Sequence, residues 1–197
     1  MPRCLSCIRV RNRRNPKAKP DGPKVINLYS PRFRLRRLAD IDIPALFEMD
    51  SDAAVTRYVA ALNVDFESYA GRMRSAIAAR EGKPLGVWVI EYLDKPGFQG
   101  WVALKELPGS AHIEMGYRLP ARNWGQGMAT EAAQRMVQYG FAELRLKEIV
   151  AVTHPENLAS QRVLAKLEFT LRGTTTYYNT SVLFFTRNAN DYFVGTS

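Results

Sequence analysis

The feature that most constrains the fold is a strand-like run that ends in a glycine-containing turn and passes directly into a helix. The segment reads IEMGYRLPARNWGQGMATEAAQRMV from residue 113 onward. Gly125 and Gly127 carry no side chains, so the backbone N–H groups at the helix start are open to an anion. Arg122 adds a charged donor beside them. The segment therefore predicts a phosphate-binding turn between a strand and a helix.

Two familiar nucleotide-binding patterns do not describe this turn. The P-loop pattern G-x-x-x-x-G-K-[ST] is absent, and the dinucleotide pattern G-x-G-x-x-G fails because Thr130 stands where its third glycine belongs. On this segment alone, two glycines that merely end a strand and start a helix remain an alternative.

The first half of the chain alternates strand and helix patterns. Phe33 and Leu35 alternate with polar residues in a first strand, and Asp42 is placed to cap a short helix with Pro44 in its first turn. Apolar residues at three-and-four spacing predict a helix that starts at Asp65 and ends by Gly82. Three strand-like runs then predict an antiparallel meander: PLGVWVIEYL, FQGWVALKEL and AHIEMGYRL.

The second half predicts a helix from about Gly127, a strand over 149–153 and a helix over 157–167 that begins at the cap residue Asn157. The apolar side of that last helix is Leu158, Val163, Leu164 and Leu167. Two closing strands are expected near 169–173 and 177–186. This order predicts an α/β (α+β) fold, a mixed antiparallel and parallel sheet with helices on both faces.

Length and charge divide the chain into an arm and one domain. The 197 residues suit a single domain, which we place at residues 26–197. The formal net charge of +9 comes from the first 40 residues, and residues 1–25 are predicted to form a disordered basic arm. Such an arm can contact RNA or another anionic surface weakly, or be a solvated tail.

The positions of the cysteines argue against a metal site, and together with the hydropathy they indicate the cellular compartment. Cys4 and Cys7 are the only cysteines, and His112 and His154 lie too far along the chain to complete a zinc site with them, so no metal is predicted. The absence of a disulfide framework favours a reducing compartment, and no apolar run is long enough for a membrane span. We expect a cytoplasmic, prokaryotic protein.

The motifs taken together resemble the GCN5-related N-acetyltransferase (GNAT) family. The R-x-x-G-x-G run at 122–127 resembles the family's motif A, which binds the pyrophosphate of acetyl-CoA. W-G-Q-G-M-A-T-E-A and N-L-A-S, together with V-L-A-K-L-E-F, are similar to the branch of Rim-type ribosomal-protein N-terminal acetyltransferases. The resemblance covers about residues 31–193 and departs at Glu168, where the family usually has glycine. It implies a single GNAT fold with acetyl-CoA as co-substrate.

The resemblance also implies roles for individual residues. Glu114 would be the general base, with His112 as a second candidate, and Ser160 would protonate the leaving thiolate. Glu114 as a paired strand carboxylate and Ser160 as an ordinary helix residue stay open. The family's strand bulge would fall near Gly116, and Glu131 is assigned a structural role. The residues expected to bind acetyl-CoA are Tyr117, Arg118, Leu119, Arg122, Asn123, Trp124, Gly125, Gln126, Gly127, Met128, Ala129, Thr130, Asn157 and Ser160.

The expected reaction is direct transfer of an acetyl group to a primary amine in a ternary complex, because no cysteine nucleophile lies within the domain. A protein or peptide N-terminal α-amine, such as that of a ribosomal protein, is the favoured acceptor. The alternatives are a small-molecule amine (an antibiotic or a polyamine) and a non-catalytic module that binds acyl-CoA. The sequence leaves the oligomeric state open.

Overall fold

The computed structural model of the chain describes residues 27–60 and 62–194. The predicted basic arm at 1–25, with Cys4 and Cys7, lies outside the described residues. Within the described part, no helix combines the length and the apolar character needed to cross a bilayer.

One eight-stranded sheet runs through the domain in the order β1-β2-β3-β4-β5-β6-β8-β7. Its strands are β1 (Leu28–Tyr29), β2 (Phe33–Arg37), β3 (Gly86–Tyr92), β4 (Trp101–Glu106), β5 (Ile113–Arg118), β6 (Glu148–Thr153), β7 (Thr170–Tyr177) and β8 (Thr180–Asn188). The β5–β6 pair is parallel, whereas the other neighbouring pairs are antiparallel. The predicted mixed sheet and the meander of β3, β4 and β5 are confirmed.

Helices cover both faces of this sheet, as predicted. They are α1 (Ile43–Ser51), α2 (Ala53–Thr56), α3 (Phe66–Ala78), α4 (Met128–Gln138), α5 (Leu158–Lys166) and α6 (Ala189–Val194). One apolar cluster joins α4 and α5 to the sheet, and a second joins α1 and α3 to its other side, where Trp101 packs. The two clusters place α4 and α5 on one face and α1 and α3 on the other.

Several local expectations differ from the structure. Asp42 precedes α1, but its carboxylate accepts hydrogen bonds from Arg36 and from the Ala39 N–H instead of capping the helix. Leu158 was expected on the buried side of α5, yet it is 61% exposed because it occupies the first residue of the helix. The short elements β1, α2 and α6 have no counterpart among the predicted elements. β7 is longer than the expected strand at 169–173, whereas β8 begins and ends later than the expected strand at 177–186.

The gap between β5 and β6 is the feature of the sheet that bears most on function. Their ladder consists of the single register position Glu114–Val150, so the two strands diverge beyond it. The ladder between β4 and β5 runs through Gly116 without a register shift. The predicted bulge is therefore not present in that ladder, and divergence of the parallel pair opens the sheet instead.

Candidate active site

The glycine turn adopts the conformation that an anion site requires. Gly125 and Gly127 both have φ of 74°, a left-handed conformation that residues with a side chain rarely adopt. Among the described residues other than Gly125 and its two chain neighbours, no atom lies within 4 Å of the position that a Cβ of Gly125 would take. The N–H groups of Met128, Ala129 and Thr130 precede the first intrahelical hydrogen bond of α4, which Glu131 donates to Gly127. This helix end therefore presents free donors to an open space.

A salt bridge fixes the start of α4 beside the turn. Arg32 Nε lies 2.6 Å from Glu131 Oε2, and the Arg32 N–H and the Ser30 hydroxyl donate to Oε1. Arg32 also donates to the Gln126 carbonyl at 3.2 Å. Burial alone would raise the pKa of Glu131, but the hydrogen bonds from Arg32 and Ser30 outweigh it and hold that pKa below its ordinary value. Glu131 thus has the structural role predicted for it.

The other turn residues divide into exposed and internally bonded side chains. Arg122 and Gln126 are exposed, and Trp124, which is 49% exposed, donates its indole N–H to the Leu119 carbonyl. Asn123 is buried and donates to the Gln99 backbone and side-chain oxygens at 2.9 and 3.1 Å. Met128 is buried in the core beneath the turn. The side chains of Asn123 and Met128 are therefore not available to a ligand, and the Asn123 N–H is also occupied, because it donates to the Pro120 carbonyl at 2.9 Å.

The alternation of β5 separates its side chains between the two faces of the sheet. Tyr117 contacts Ser160 and therefore faces α5, on the side of the glycine turn. Arg118 contacts Asp50 and Trp101 and therefore faces α1. Glu114 is four residues before Arg118, so its side chain lies on the same face as that of Arg118. The proposed base, Glu114, and the proposed acid, Ser160, therefore lie on opposite faces of the sheet beside the β5–β6 gap.

On the α5 face, three predicted residues come together. The Tyr117 hydroxyl lies 2.9 Å from Ser160 Oγ. Asn157 caps α5 as predicted, because its Oδ1 accepts a hydrogen bond of 3.0 Å from the Ser160 N–H. Burial raises the pKa of Tyr117 to about 12, although the bond to Ser160 acts in the opposite direction. This hydroxyl pair remains protonated throughout the neutral range.

On the α1 face, Glu114 is bonded to two residues that sequence reasoning did not single out. Tyr178 Oη donates to Glu114 Oε2 at 2.6 Å, and Lys105 Nζ lies 3.3 Å from the same oxygen. Burial and the bond to the Glu114 carboxylate raise the pKa of Tyr178 above its ordinary value. Nδ1 of His112, the second candidate base, lies 3.2 Å from Glu148 Oε1, and its ring lies next to that of Phe184.

A polar cavity of about 390 Å³ opens on the same face. Arg118 and Asp50 form a salt bridge of 2.7 Å within it, and Tyr69 donates to the other Asp50 oxygen at 2.8 Å. The remaining lining residues are Thr56, Ala60, Leu62, Asn63, Val64 and Arg72. The Arg118 side chain therefore faces this cavity rather than the glycine turn.

Comparison with known proteins decides the family. Residues 32–170 match the family model described as "Acetyltransferase (GNAT) domain". The chain belongs to the GNAT acetyltransferase family. It is 33% identical over 153 residues to the "Uncharacterized N-acetyltransferase YoaA" of Bacillus subtilis (strain 168), across 77% of this chain and 86% of that protein. The protein is accordingly an acetyl-CoA-dependent N-acetyltransferase.

Solved structures show the same GNAT fold. An acetyltransferase from Agrobacterium tumefaciens str. C58 matches with a TM-score of 0.73 at 23% identity, over 84% of this chain and 95% of that one. The ribosomal L7/L12 alpha-N-protein acetyltransferase RimL in complex with coenzyme A matches with a TM-score of 0.68 at 18% identity, over 83% and 98%. The single GNAT fold predicted from the motifs is confirmed.

The chemistry of the turn fits the anionic end of acetyl-CoA. A pyrophosphate needs several N–H donors without a blocking side chain, and the open position at Gly125 with the free amides of α4 meets both needs. Arg32, which donates to the Gln126 carbonyl, places a guanidinium at the same end of the helix, and the exposed Arg122 lies in the turn that precedes it. Arg32 was not among the predicted site residues, because its partner Glu131 lies 99 positions away in the sequence.

Proposed function

We propose that this acetyltransferase transfers the acetyl group of acetyl-CoA to the N-terminal α-amine of a protein or peptide by direct attack in a ternary complex. The observation that carries the proposal is the placement of Glu114 and the Tyr117–Ser160 pair on opposite faces of the sheet beside the β5–β6 gap. Two ligands entering from opposite faces would meet there.

Acetyl-CoA would enter on the α4 and α5 face. The first amides of α4, with Arg32 and Arg122, would hold its pyrophosphate. The unpaired edges of β5 and β6 have backbone groups to which the pantetheine amides can bond. When bound, acetyl-CoA supplies the thioester carbonyl that the amine attacks.

The acceptor would enter on the α1 face. An α-amine has an ordinary pKa of about 7.7–8.0 and is largely protonated at neutral pH, so it must lose a proton before it can attack. On this face Glu114, which lies on β5 beside the gap, would take that proton, whereas Asp50 is paired with Arg118. Ser160, oriented by Tyr117 and by the cap at Asn157, would give a proton to the departing thiolate.

The polar cavity beside Arg118 would hold the acceptor's first residues. Asp50, Asn63 and Thr56 line it with hydrogen-bonding groups, and its volume of about 390 Å³ lies in the range usual for ligand sites. A peptide acceptor is further supported by the fold shared with RimL, which is described as an alpha-N-protein acetyltransferase.

The test compares matched acceptors in one assay. Purified protein and acetyl-CoA are incubated with a peptide that has a free α-amine, with the same peptide blocked at its N-terminus but containing lysine, with spermidine and with an aminoglycoside. Release of the CoA thiol gives the rate, and mass spectrometry locates the acetyl group. Acetylation of the α-amine alone is expected. Turnover with only the polyamine, the aminoglycoside or the lysine peptide would overturn the choice of acceptor.

A further inference from the structure

The tip of the β7–β8 hairpin lies against Glu114. β7 ends at Tyr177 and β8 begins at Thr180, which leaves Tyr178 and Asn179 as a two-residue turn. Their φ values are 53° and 58°, the left-handed conformation of a tight turn of the I′ kind. This turn holds the Tyr178 ring over the strand face that carries Glu114.

Three polar atoms from separate segments meet at this place. Tyr178 Oη donates to Glu114 Oε2 at 2.6 Å and accepts from Lys105 Nζ at 3.0 Å. Lys105 and Glu114 face each other directly in the β4–β5 ladder. Lys105 and Glu114 are the charged groups recorded in contact with Tyr178 among the described residues.

Exposure shows which of these groups a ligand reaches first. Glu114 is only 5% exposed, whereas Tyr178 is 51% exposed. An acceptor that approaches from solvent at the hairpin tip therefore contacts Tyr178 before it contacts the Glu114 carboxylate.

We propose that Tyr178 is a further catalytic residue that relays the acceptor's proton to Glu114. The ammonium group of the acceptor gives one proton to Tyr178 Oη while Tyr178 gives its own phenolic proton to Glu114 Oε2. The amine becomes neutral, Tyr178 ends as the phenol it was, and Glu114 ends protonated. The inference rests on the proposed function, since it assigns the proton path for the same base.

The hydrogen-bonding capacity of the phenol permits this relay. A phenolic oxygen has one O–H donor and two lone pairs. The O–H is given to Glu114 and one lone pair accepts from Lys105, so a second lone pair remains for the ammonium group. Lys105 acts as a positioning residue, because its bond to Oη turns the phenolic hydrogen toward the carboxylate.

The test uses Tyr178→Phe, which removes only the hydroxyl group. Tyr177→Phe is the matched control, because it removes the neighbouring hydroxyl from a ring that stacks on Phe184 within the described part of the chain. At pH 7 we expect kcat of Tyr178→Phe to fall about 10²-fold, the usual scale of proton-transfer catalysis, with KM for acetyl-CoA within about twofold of wild type. The control should retain wild-type kcat.

The pH dependence distinguishes a relay from a structural contact. Above about pH 9 an α-amine is mostly neutral on its own, so the Tyr178→Phe defect should shrink toward wild type as the pH rises. Glu114→Gln should behave in the same way, and adding Tyr178→Phe to Glu114→Gln should cause little further loss.

Three results would overturn the relay: wild-type kcat for Tyr178→Phe at pH 7, a defect of equal size at pH 7 and pH 10, or a further 10²-fold loss in the double variant. The assay uses whichever amine the wild-type protein acetylates. Failure of the α-amine assignment would therefore appear as a different wild-type substrate. For an amine of higher pKa, such as a lysine side chain, the pH 7 rates and the double variant decide the relay, because that amine is still mostly protonated at pH 10.

Discussion

The hydroxyl groups of Tyr117 and Ser160 lie 2.9 Å apart and join the end of β5 to the first turn of α5. Asn157 holds the backbone of Ser160 from the other side. The pair lies on the sheet face that carries the glycine turn. These two contacts fix the position of the proposed acid, Ser160, from within the protein.

Ser160→Ala should lower kcat by about 10²-fold, because the departing thiolate would lose its proton donor. KM for acetyl-CoA should stay within about twofold, since the cap at Asn157 bonds the backbone of residue 160 and survives the substitution. Steady-state kinetics measure both constants. A normal kcat would assign Ser160 to the architecture of α5 instead.

Binding of acetyl-CoA should stabilise the wild-type protein but not Gly125→Ala. Ligand at about 100 times its Kd adds roughly 2.7 kcal/mol, a shift of several degrees in Tm, whereas NAD and ATP should give no comparable shift. A Cβ at residue 125 meets no atom of the described residues beyond its chain neighbours, but it enters the space proposed for the pyrophosphate.

Gly109→Ala provides the matched control for that experiment. Gly109 has the same φ of 74° and equally open surroundings, but it lies in the β4–β5 loop. Both variants should lose about 1 kcal/mol of intrinsic stability. Equal stabilisation of the two by acetyl-CoA would contradict the assignment of the turn.

Stability should fall in acid partly through Glu131. Its pKa is lower in the folded state than in the unfolded chain, so its contribution is fully present above the ordinary glutamate pKa and is lost as the pH falls toward the folded value. Urea unfolding from pH 7 to pH 3 should therefore show a difference in the free energy of unfolding between wild type and Glu131→Gln that becomes smaller in acid. Glu81→Gln, at an exposed position, serves as the control. A difference that stays constant with pH would contradict this contribution of Glu131.

Glu168→Gly should destabilise the protein although it restores the residue usual in the family. Glu168 has φ of 57°, where glycine is favoured, but its carboxylate pairs with Arg187, whose side chain is only 5% exposed. Removing the partner of a buried charge costs about 1–3 kcal/mol or more, which exceeds the relief of backbone strain.

Arg145→Gly is the comparison for that substitution. Arg145 has the same φ of 57° and is exposed, so the glycine there should be neutral or stabilising by up to about 1 kcal/mol. Urea midpoints report both changes. Equal stabilisation by the two substitutions would show that the Arg187 pair contributes nothing.

Local patterns were sufficient to predict the turn and the elements around it. The positive φ of Gly125 and Gly127, the start of α4 and the cap at Asn157 each depend on residues a few positions apart. Periodicity also predicted the meander, because each strand pairs with its neighbour in sequence.

The contacts that surround the candidate site could not be predicted in this way, because they join distant parts of the chain. Glu114 and Tyr178 are 64 positions apart, and Asp50 and Arg118 are 68 apart. Asp42 shows the same effect at short range, since a strong bond to Arg36 replaced the helix cap that its position suggested. Tertiary pairing decides such cases, and one sequence contains no signal for it.

The acetyl-transfer rate of Glu114→Gln with the preferred amine at pH 7 tests most directly whether Glu114 is the base. We predict a fall in kcat of about 10²–10⁴-fold with KM for acetyl-CoA unchanged, whereas Glu106→Gln, which replaces an exposed carboxylate on β4, should match wild type. Wild-type kcat in Glu114→Gln would show that another group deprotonates the acceptor and that Glu114 is not the base.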